Sequence, residues 1–373
     1  MSKKYFITGG GTGGHIYPAI AVADKLAEND DNQIFYVGCA DNLEFSIAKM
    51  KGYKFLPVKV KGMPRKFSLY FLLWGLQLLW AIIMSIYYLN KYQPDAIFGT
   101  GGYVSAPVLI AATILRKFPF MLHDCDIQPG IVTRKLSPYA QTVSLAFAEA
   151  RSFIDNNRCY INGNPIRPEF ETLNKAHARE LFNLTSDRPI LCVMGGSQGA
   201  SSINAAFVEI IRELSLTHNF QMIFQTGKKH YYDIIERLSK LYRDYDKDKN
   251  IIIRPYFDDM ISVIKSADIV VSRAGSLSLS EIFASNVAPV LVPYPYAAAD
   301  HQRKNAQFVA RHEGCIYIED EDLNPNSLLE ILLDLKENPD KVEKLKESSS
   351  KLAKYDALDN IIKQLKRIAG AYE

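Results

Sequence analysis

The chain twice runs a short apolar segment straight into a glycine-rich corner: "ITGGGTGGHIYP" over residues 7–18 and "VMGGSQGAS" over 193–201. A strand that turns into a helix within a few residues needs such a sequence. Glycine tolerates the backbone of the corner and lets another group approach it closely. Corners of this kind belong to parallel sheets, whose strands are joined by helices. Gly9, Gly11 and Gly14 also satisfy G-x-G-x-x-G, the spacing of a dinucleotide site.

Around the corners, short apolar runs alternate with helical periodicity. The first half offers strands at Tyr5–Thr8, Gln33–Gly38, Lys54–Val60, Ala96–Gly99, Pro119–His123 and Thr142–Ala146. The second offers Ile190–Met194, Phe220–Gln225, Ile251–Arg254, Asp268–Ser272, Pro289–Pro293 and Ile316–Ile318. Each set of six opens on its own glycine corner, which predicts an α/β chain of two facing, Rossmann-like doubly wound domains. With 373 residues, 48% of them hydrophobic, there is enough chain for two cores. The glycine and prolines of "GNPIRP" at 163–168 mark the boundary, giving domains of 1–164 and 165–351. Leu358, Ile361, Ile362, Leu365 and Ile368 form a helical apolar stripe near the end. The segment from about 352 to 373 therefore either caps the second domain or crosses back to the first.

Composition excludes several classes. A net charge of +3, without an arginine-rich or aromatic-interleaved patch, argues against nucleic acid. Five scattered cysteines, never in C-x-x-C spacing, suggest a reducing compartment and no zinc site. An apolar strand begins within five residues of Met1, which leaves no room for a signal peptide and points to the cytoplasm. Asp258 and Asp259 are adjacent rather than spaced as Asp-x-Asp, and read as a helix N-terminus. No metal and no cofactor is expected.

Backbone N–H groups at a strand-to-helix corner point outward at the positive end of the helix dipole, so the natural ligand is phosphate. A dinucleotide fold also wants an acid at the tip of its second strand. Here "QIFYVG" ends in Gly38-Cys39-Ala40, with Asp41 beyond it. His15 places a titratable side chain at the helix mouth, and Pro18 suits a first helical turn. The second domain carries its own glycine loop and its own acid. Two phosphate loops suggest two phosphorylated substrates rather than NAD. In "SRAGSLSLSE" at 272–281, small residues again follow a strand, and Glu281 sits where a carboxylate can accept from a ribose diol.

Taken together and in order, "GGGTGGHIYPAIAVA", "GTGGYVSAPVLIAA", "GNPIR", "GGSQGASSIN", "FDDM", "SRAGSLSLSEI" and "HQRKNA" resemble the MurG family, the bacterial UDP-N-acetylglucosamine:lipid I N-acetylglucosaminyltransferases of peptidoglycan synthesis. The resemblance covers nearly the whole chain. It implies a GT-B fold with a cleft between the domains, and inverting transfer of GlcNAc from UDP-GlcNAc to the 4-hydroxyl of MurNAc in undecaprenyl-pyrophosphoryl-MurNAc-pentapeptide, giving lipid II. Carried over by position, Ser197 and Gln198 would hold the nucleotide and Phe257 would lie against uracil. Ser276, Leu277, Ser278, Leu279 and Ser280 would line the pyrophosphate, with Glu281 on the ribose and Arg167 offering a cation. Gln302, with His301, would read the GlcNAc hydroxyls. In the first domain Thr12, Gly13 and Gly14 would lie beside the transferred sugar and the acceptor pyrophosphate. Gly11, His15, Gly101, Gly102, Tyr103 and Ser105 would bind the acceptor. Where the family usually has His-Glu-Gln-Asn, this chain has His123-Asp124-Cys125-Asp126. Asp124 keeps the acid one methylene shorter. Asp126 replaces an amide near the donor sugar, losing a donor and adding a negative charge.

The acceptor hydroxyl must lose a proton in the transfer. His15 is the better placed base, with Asp124 as an alternative base or an orienting partner; His15 serving only as a ligand of the acceptor phosphate stays open. Leu69–Leu89 is 21 residues without a charge, about 31 Å as a helix, enough to span a bilayer. A crossing there would separate the two glycine loops. We therefore expect an interfacial patch, assisted by Lys59, Lys61, Arg65 and Lys66, that holds a peripheral protein on the anionic cytoplasmic face of the cell membrane. An ordinary core helix is the alternative. Cell-wall synthesis proteins are the expected protein partners. The rival readings are a diacylglycerol glucosyltransferase-like enzyme, a UDP-GlcNAc epimerase and a non-enzymatic nucleotide-binding scaffold.

Overall fold

The computed structural model describes residues 2–64, 69–196 and 198–370. Its strands are β1 Lys4–Thr8, β2 Gln33–Gly38, β3 Lys54–Pro57, β4 Ala96–Gly99, β5 Phe120–Asp124, β6 Thr142–Leu145, β7 Cys159–Ile161, β8 Ile190–Met194, β9 Gln221–Gln225, β10 Ile251–Arg254, β11 Ile269–Ser272, β12 Ala288–Leu291 and β13 Ile316–Tyr317. They form two wholly parallel sheets, ordered β3-β2-β1-β4-β5-β6-β7 and β10-β9-β8-β11-β12-β13. Both follow the 3-2-1-4-5-6 order of a dinucleotide-binding fold, with β7 added to the first. In each, the strand order reverses beside a glycine corner, after β1 and β4 or after β8 and β11. That is where open α/β sheets bind ligands.

Each of the twelve expected strands has a counterpart. The run at 54–60 is shortened: pairing ends at Pro57, yet Val58 and Val60 stay buried, and that alternation makes the segment read as strand. β7 is the addition, a short edge strand whose exposed Tyr160 and Ile161 give it no buried alternation to detect.

The chain divides into two compact units, Met1–Ile166 with Lys354–Glu373, and Arg167–Ala353. Alternation along the strands feeds a core on each face of each sheet. In the first unit, Phe6, Phe35 and Ile97 enter one cluster, while Tyr5, Ile7, Tyr36 and Phe98 enter the other. In the second, Leu191 and Val193 face one way, Cys192 and Met194 the other.

The terminal helix Ala357–Ile368 crosses back. Leu358, Ile361, Ile362 and Leu365 complete the first unit's Tyr5–Ile7 core. Asn162 and Gln364 exchange side-chain hydrogen bonds at 3.0 and 3.2 Å, fixing this return.

The helix Leu69–Tyr92 is not an ordinary core helix, since only 22% of its apolar window is buried. Ala81, Ser85, Tyr88 and Leu89 face the first unit's core. Leu72, Leu73, Leu76, Leu79, Trp80 and Ile83 recur at three- and four-residue spacing on the opposite face, each about half exposed or more. Trp74 Nε1 donates to the carbonyl of Lys61 at 2.9 Å, tying the helix to the segment before it. Lys59 and Lys61 are exposed there, while Arg65 and Lys66 lie outside the described residues.

Candidate active site

In the first unit the loops after β1, β4 and β5 converge on His15. The helix Gly13–Ala27 starts at the glycine corner, so the N–H groups of Gly13 and Gly14 fall in the first turn, where a helix supplies no acceptor. His15 Nδ1 lies 2.8 Å from the carbonyl of Thr100. A carbonyl only accepts, so Nδ1 carries a proton, and in the neutral form of the ring the lone pair lies at Nε2. The Thr100 hydroxyl returns a hydrogen bond to the His15 carbonyl at 2.6 Å. The ring packs closely against the next loop. Gly102 has φ +73°, and a Cβ there would stand 2.7 Å from His15 Cδ2. Only glycine fits both the left-handed backbone and the imidazole beside it.

Asp124 closes this corner from the end of β5. Its carboxylate accepts from the N–H of Gly130 at 3.0 Å and of Asp126 at 3.3 Å. Burial pushes its carboxyl up to about 7, against the pull of the Thr133 hydroxyl, with the charge of Asp126 adding to the rise. His123, one residue earlier, points the other way into full burial, between Ser144 Oγ at 3.0 Å and Asn164 Oδ1 at 3.2 Å. Desolvation holds it down to about 4, so it stays neutral at physiological pH. Cys125 Sγ lies 3.5 Å from the carbonyl of Gly14, linking the β5 loop to the glycine corner. The Cys125 thiol and one carboxylate oxygen each of Asp124 and Asp126 lie within 4.8 Å of one another, a spacing a metal could use. Two N–H groups already hold the Asp124 carboxylate, and the chemistry proposed below needs no metal.

The second unit builds its corner differently. The helix Ser276–Phe283 follows β11 with Gly275 as its cap residue, and Ser278 and Ser280 are half-buried on it. Glu281 pairs with Arg167, Nη2 to Oε1 at 3.1 Å. Burial raises the Glu281 carboxyl and the Arg167 guanidinium draws it back. Gln302 accepts the Tyr294 N–H at 3.0 Å through its Oε1, which fixes the side-chain amide beside residue 294. His301 opens the same helix after Ala299 and Asp300, both at positive φ.

Several residues do not sit as expected. Phe257 is 3% exposed, edge-on to Phe182 and beneath Arg254, so nearly all of its ring belongs to the core. Its N–H is held by Gln225 Oε1 at 2.9 Å. Leu279 is fully buried, so only its backbone can serve a pyrophosphate. Ser105 is also fully buried, its hydroxyl donating to the carbonyls of Gly101 and Gly102. It shapes the loop instead of meeting the acceptor. Gln198 is exposed, and Ser197 lies outside the described residues. Asp259 caps the helix Met260–Ser266, accepting the Ser262 N–H at 3.0 Å.

Sequence reasoning missed two buried charges. Arg273 is 9% exposed and donates to the carbonyls of Val292 and Pro293 and to Ser202 Oγ, while pairing with Asp320. It thereby ties together the loops after β8, β11 and β12. Glu44 is fully buried beneath the first glycine loop. Arg273 lies inside the 272–281 motif, where the small residues and Glu281 drew the reading, and Glu44 lies in no motif.

The glycosyltransferase family 28 N-terminal domain matches residues 5–145, and the family 28 C-terminal domain matches residues 190–361. A UDP-N-acetylglucosamine–N-acetylmuramyl-(pentapeptide) pyrophosphoryl-undecaprenol N-acetylglucosamine transferase from Desulforamulus reducens is 36% identical over 98% of both chains. Among solved structures, MurG of Acinetobacter baumannii superposes with a TM-score of 0.77 at 23% identity, over 98% of this chain and 99% of that one. A putative UDP-N-acetylglucosamine 2-epimerase from Listeria monocytogenes reaches a TM-score of 0.70 at 10% identity, over 100% of this chain and 98% of that one, a likeness of fold alone. With two GT-B-type Rossmann-like units and a full-length match to these transferases, the chain is a glycosyltransferase of family 28 and belongs to the family of UDP-N-acetylglucosamine–N-acetylmuramyl-(pentapeptide) pyrophosphoryl-undecaprenol N-acetylglucosamine transferases.

Proposed function

We propose that this chain moves GlcNAc from UDP-GlcNAc to the 4-hydroxyl of MurNAc in undecaprenyl-pyrophosphoryl-MurNAc-pentapeptide, forming lipid II, with the first unit holding the acceptor and the second the donor. The observation that carries the division of labour is the tautomer of His15. An imidazole locked through Nδ1 presents Nε2 as a base, and it does so at an anion-binding corner. The acceptor pyrophosphate meets the N–H groups of Gly13 and Gly14, and the sugar hydroxyl meets His15 Nε2. As the oxygen attacks the anomeric carbon from the face opposite UDP, its proton passes to His15. Asp124, kept largely neutral below about pH 7, orients the loop and adds little negative charge where the acceptor phosphates bind.

UDP leaves as an anion. The first-turn N–H groups of the helix Ser276–Phe283 face that developing charge, and Arg167 supplies a cation. Glu281 takes the ribose hydroxyls, and the Gln302 amide reads the GlcNAc hydroxyls. The exposed apolar face of the helix Leu69–Tyr92, flanked by Lys59 and Lys61, rests on the cytoplasmic face of the membrane, where the lipid acceptor lies.

Radiolabelled UDP-GlcNAc incubated with lipid I tests the reading. Label must enter a longer lipid that carries both amino sugars. Label on diacylglycerol, or epimerised UDP-sugar without any acceptor, would replace it with one of the rival activities.

A further inference from the structure

Glu44 lies in the first turn of the helix Leu43–Met50 and is wholly buried. Its Oε1 accepts the Cys39 N–H at 3.2 Å and the Asn42 Nδ2 at 3.1 Å, and its Oε2 accepts the Gly11 N–H at 3.3 Å. Asn42 Nδ2 also donates to the Tyr103 hydroxyl at 3.2 Å. The Tyr103 ring in turn closes on Gly11, which has φ +84° and where a Cβ would stand 2.6 Å from Cε1. Glu44 therefore joins the loops after β1 and β2, and Asn42 extends the link to Tyr103 after β4. The three donors to Glu44 are all N–H groups, the set a carboxylate satisfies and an amide does not.

The backbone presses on this carboxylate from the other side. A Cβ at Gly10 would come within 2.4 Å of Glu44 Oε1, while one at Gly9 would meet Thr100 Oγ1 at 2.0 Å and one at Gly11 the Tyr103 ring at 2.6 Å, so each glycine of the loop is set by a different neighbour. Beneath them the Tyr36 hydroxyl donates to the Gly9 carbonyl at 2.6 Å. By taking the Gly11 N–H inward, Glu44 withdraws one donor of the loop from any ligand. The anion is left to the N–H groups that open the helix at Gly13 and Gly14.

We propose that Glu44 is a positioning residue for the acceptor. It sets the register of the glycine loop against Tyr103, so that a sugar pyrophosphate engages the helix mouth and places its hydroxyl at His15. The proposal rests on assigning the acceptor to the first unit. Glu44 itself does not touch substrate.

Steady-state kinetics with UDP-GlcNAc and a short-chain prenyl-pyrophosphoryl-MurNAc-pentapeptide test it. Glu44→Gln turns an amide N–H2 against the Gly11 or Cys39 N–H. It should raise the acceptor KM tenfold or more and leave the donor KM within twofold. Asn42→Ala, which keeps the Glu44 carboxylate on the Cys39 and Gly11 N–H groups but removes the amide that bridges it to Tyr103, should raise the acceptor KM about threefold. If Glu44→Gln fails to fold, the Asn42→Ala result decides by the same criterion. An acceptor KM within twofold of wild type, or donor and acceptor KM rising together, overturns the positioning role. Wild-type enzyme that fails to transfer at all overturns the acceptor assignment and this proposal with it, a failure visible without either variant.

Discussion

Behind the first glycine corner stand titratable side chains: His15 against Gly102, Asp124 and His123 at the end of β5, and Glu44 beneath the loop. Behind the second stand serines, backbone and paired ions, with Glu281 on Arg167 and Asp320 on Arg273. Both corners sit at the strand-order reversal of sheets with the same topology. The difference lies in what the shared geometry can do. On the proposed reading the first takes up a proton and the second holds the leaving charge. Fold alone would give both an anion; the side chains behind each corner are what that reading uses to tell base from leaving-group site.

The sharpest way to break this contrast is to remove the base. His15→Ala should lower kcat by about 10²–10⁴-fold and abolish the acidic limb of the pH–rate profile, with UDP affinity unchanged. A rate within tenfold of wild type that keeps the same limb would reduce His15 to a phosphate ligand.

A second test reads the first unit's buried pair through stability. Asp124 goes from an ordinary 3.8 to about 7 on folding, so its contribution is full below about pH 4 and is lost as pH rises towards 7. His123 falls from 6.5 to about 4, so its contribution is full above 6.5 and is lost as pH falls towards 4. Each is worth about 3–4 kcal/mol by linkage, and between pH 4 and 6.5 they oppose. Wild type should therefore show a nearly flat Tm over that range. Asp124→Asn should uncover a Tm that climbs with pH, and a variant profile parallel to wild type would remove the claim.

For the second corner, Arg167→Ala should raise the UDP-GlcNAc KM about 10–100-fold, the worth of one charge-assisted hydrogen bond. The acceptor KM should stay within twofold. A rise confined to the acceptor would invert the assignment of the two units. The smallest effect concerns lipid, which the proposed reading places against the exposed face of the helix Leu69–Tyr92 in the first unit. Lys59→Ala and Lys61→Ala should each weaken sedimentation with anionic vesicles about fivefold, roughly 1 kcal/mol. Turnover of a water-soluble acceptor should not change. Equal binding to neutral vesicles would remove the electrostatic part.

Much of this architecture was legible because parallel sheets leave strong signals. A fully buried strand such as β8 is a continuous apolar run, and glycines mark the corners that follow β1 and β8. β7 was hidden because an exposed three-residue edge strand needs no pattern. The return of the terminal helix was undecidable, since a stripe of Leu358, Ile361, Ile362 and Leu365 suits either core equally well; the Asn162–Gln364 pair that fixes it is 202 residues apart in sequence. Site residues were harder. The motifs that name Phe257, Leu279 and Ser105 do not tell a side chain that faces a ligand from one that braces the loop, and all three are buried. Glu44 escaped because its partners come from two separate loops, and its link to a third runs through Asn42.

The division of labour between the corners is tested most directly by a crystal structure of the enzyme with UDP bound. The account predicts the diphosphate at residues 276–280 with Arg167 beside it and the ribose on Glu281, all within the second unit. UDP seated on residues 9–14, with its phosphates at the helix mouth beside His15, would contradict it.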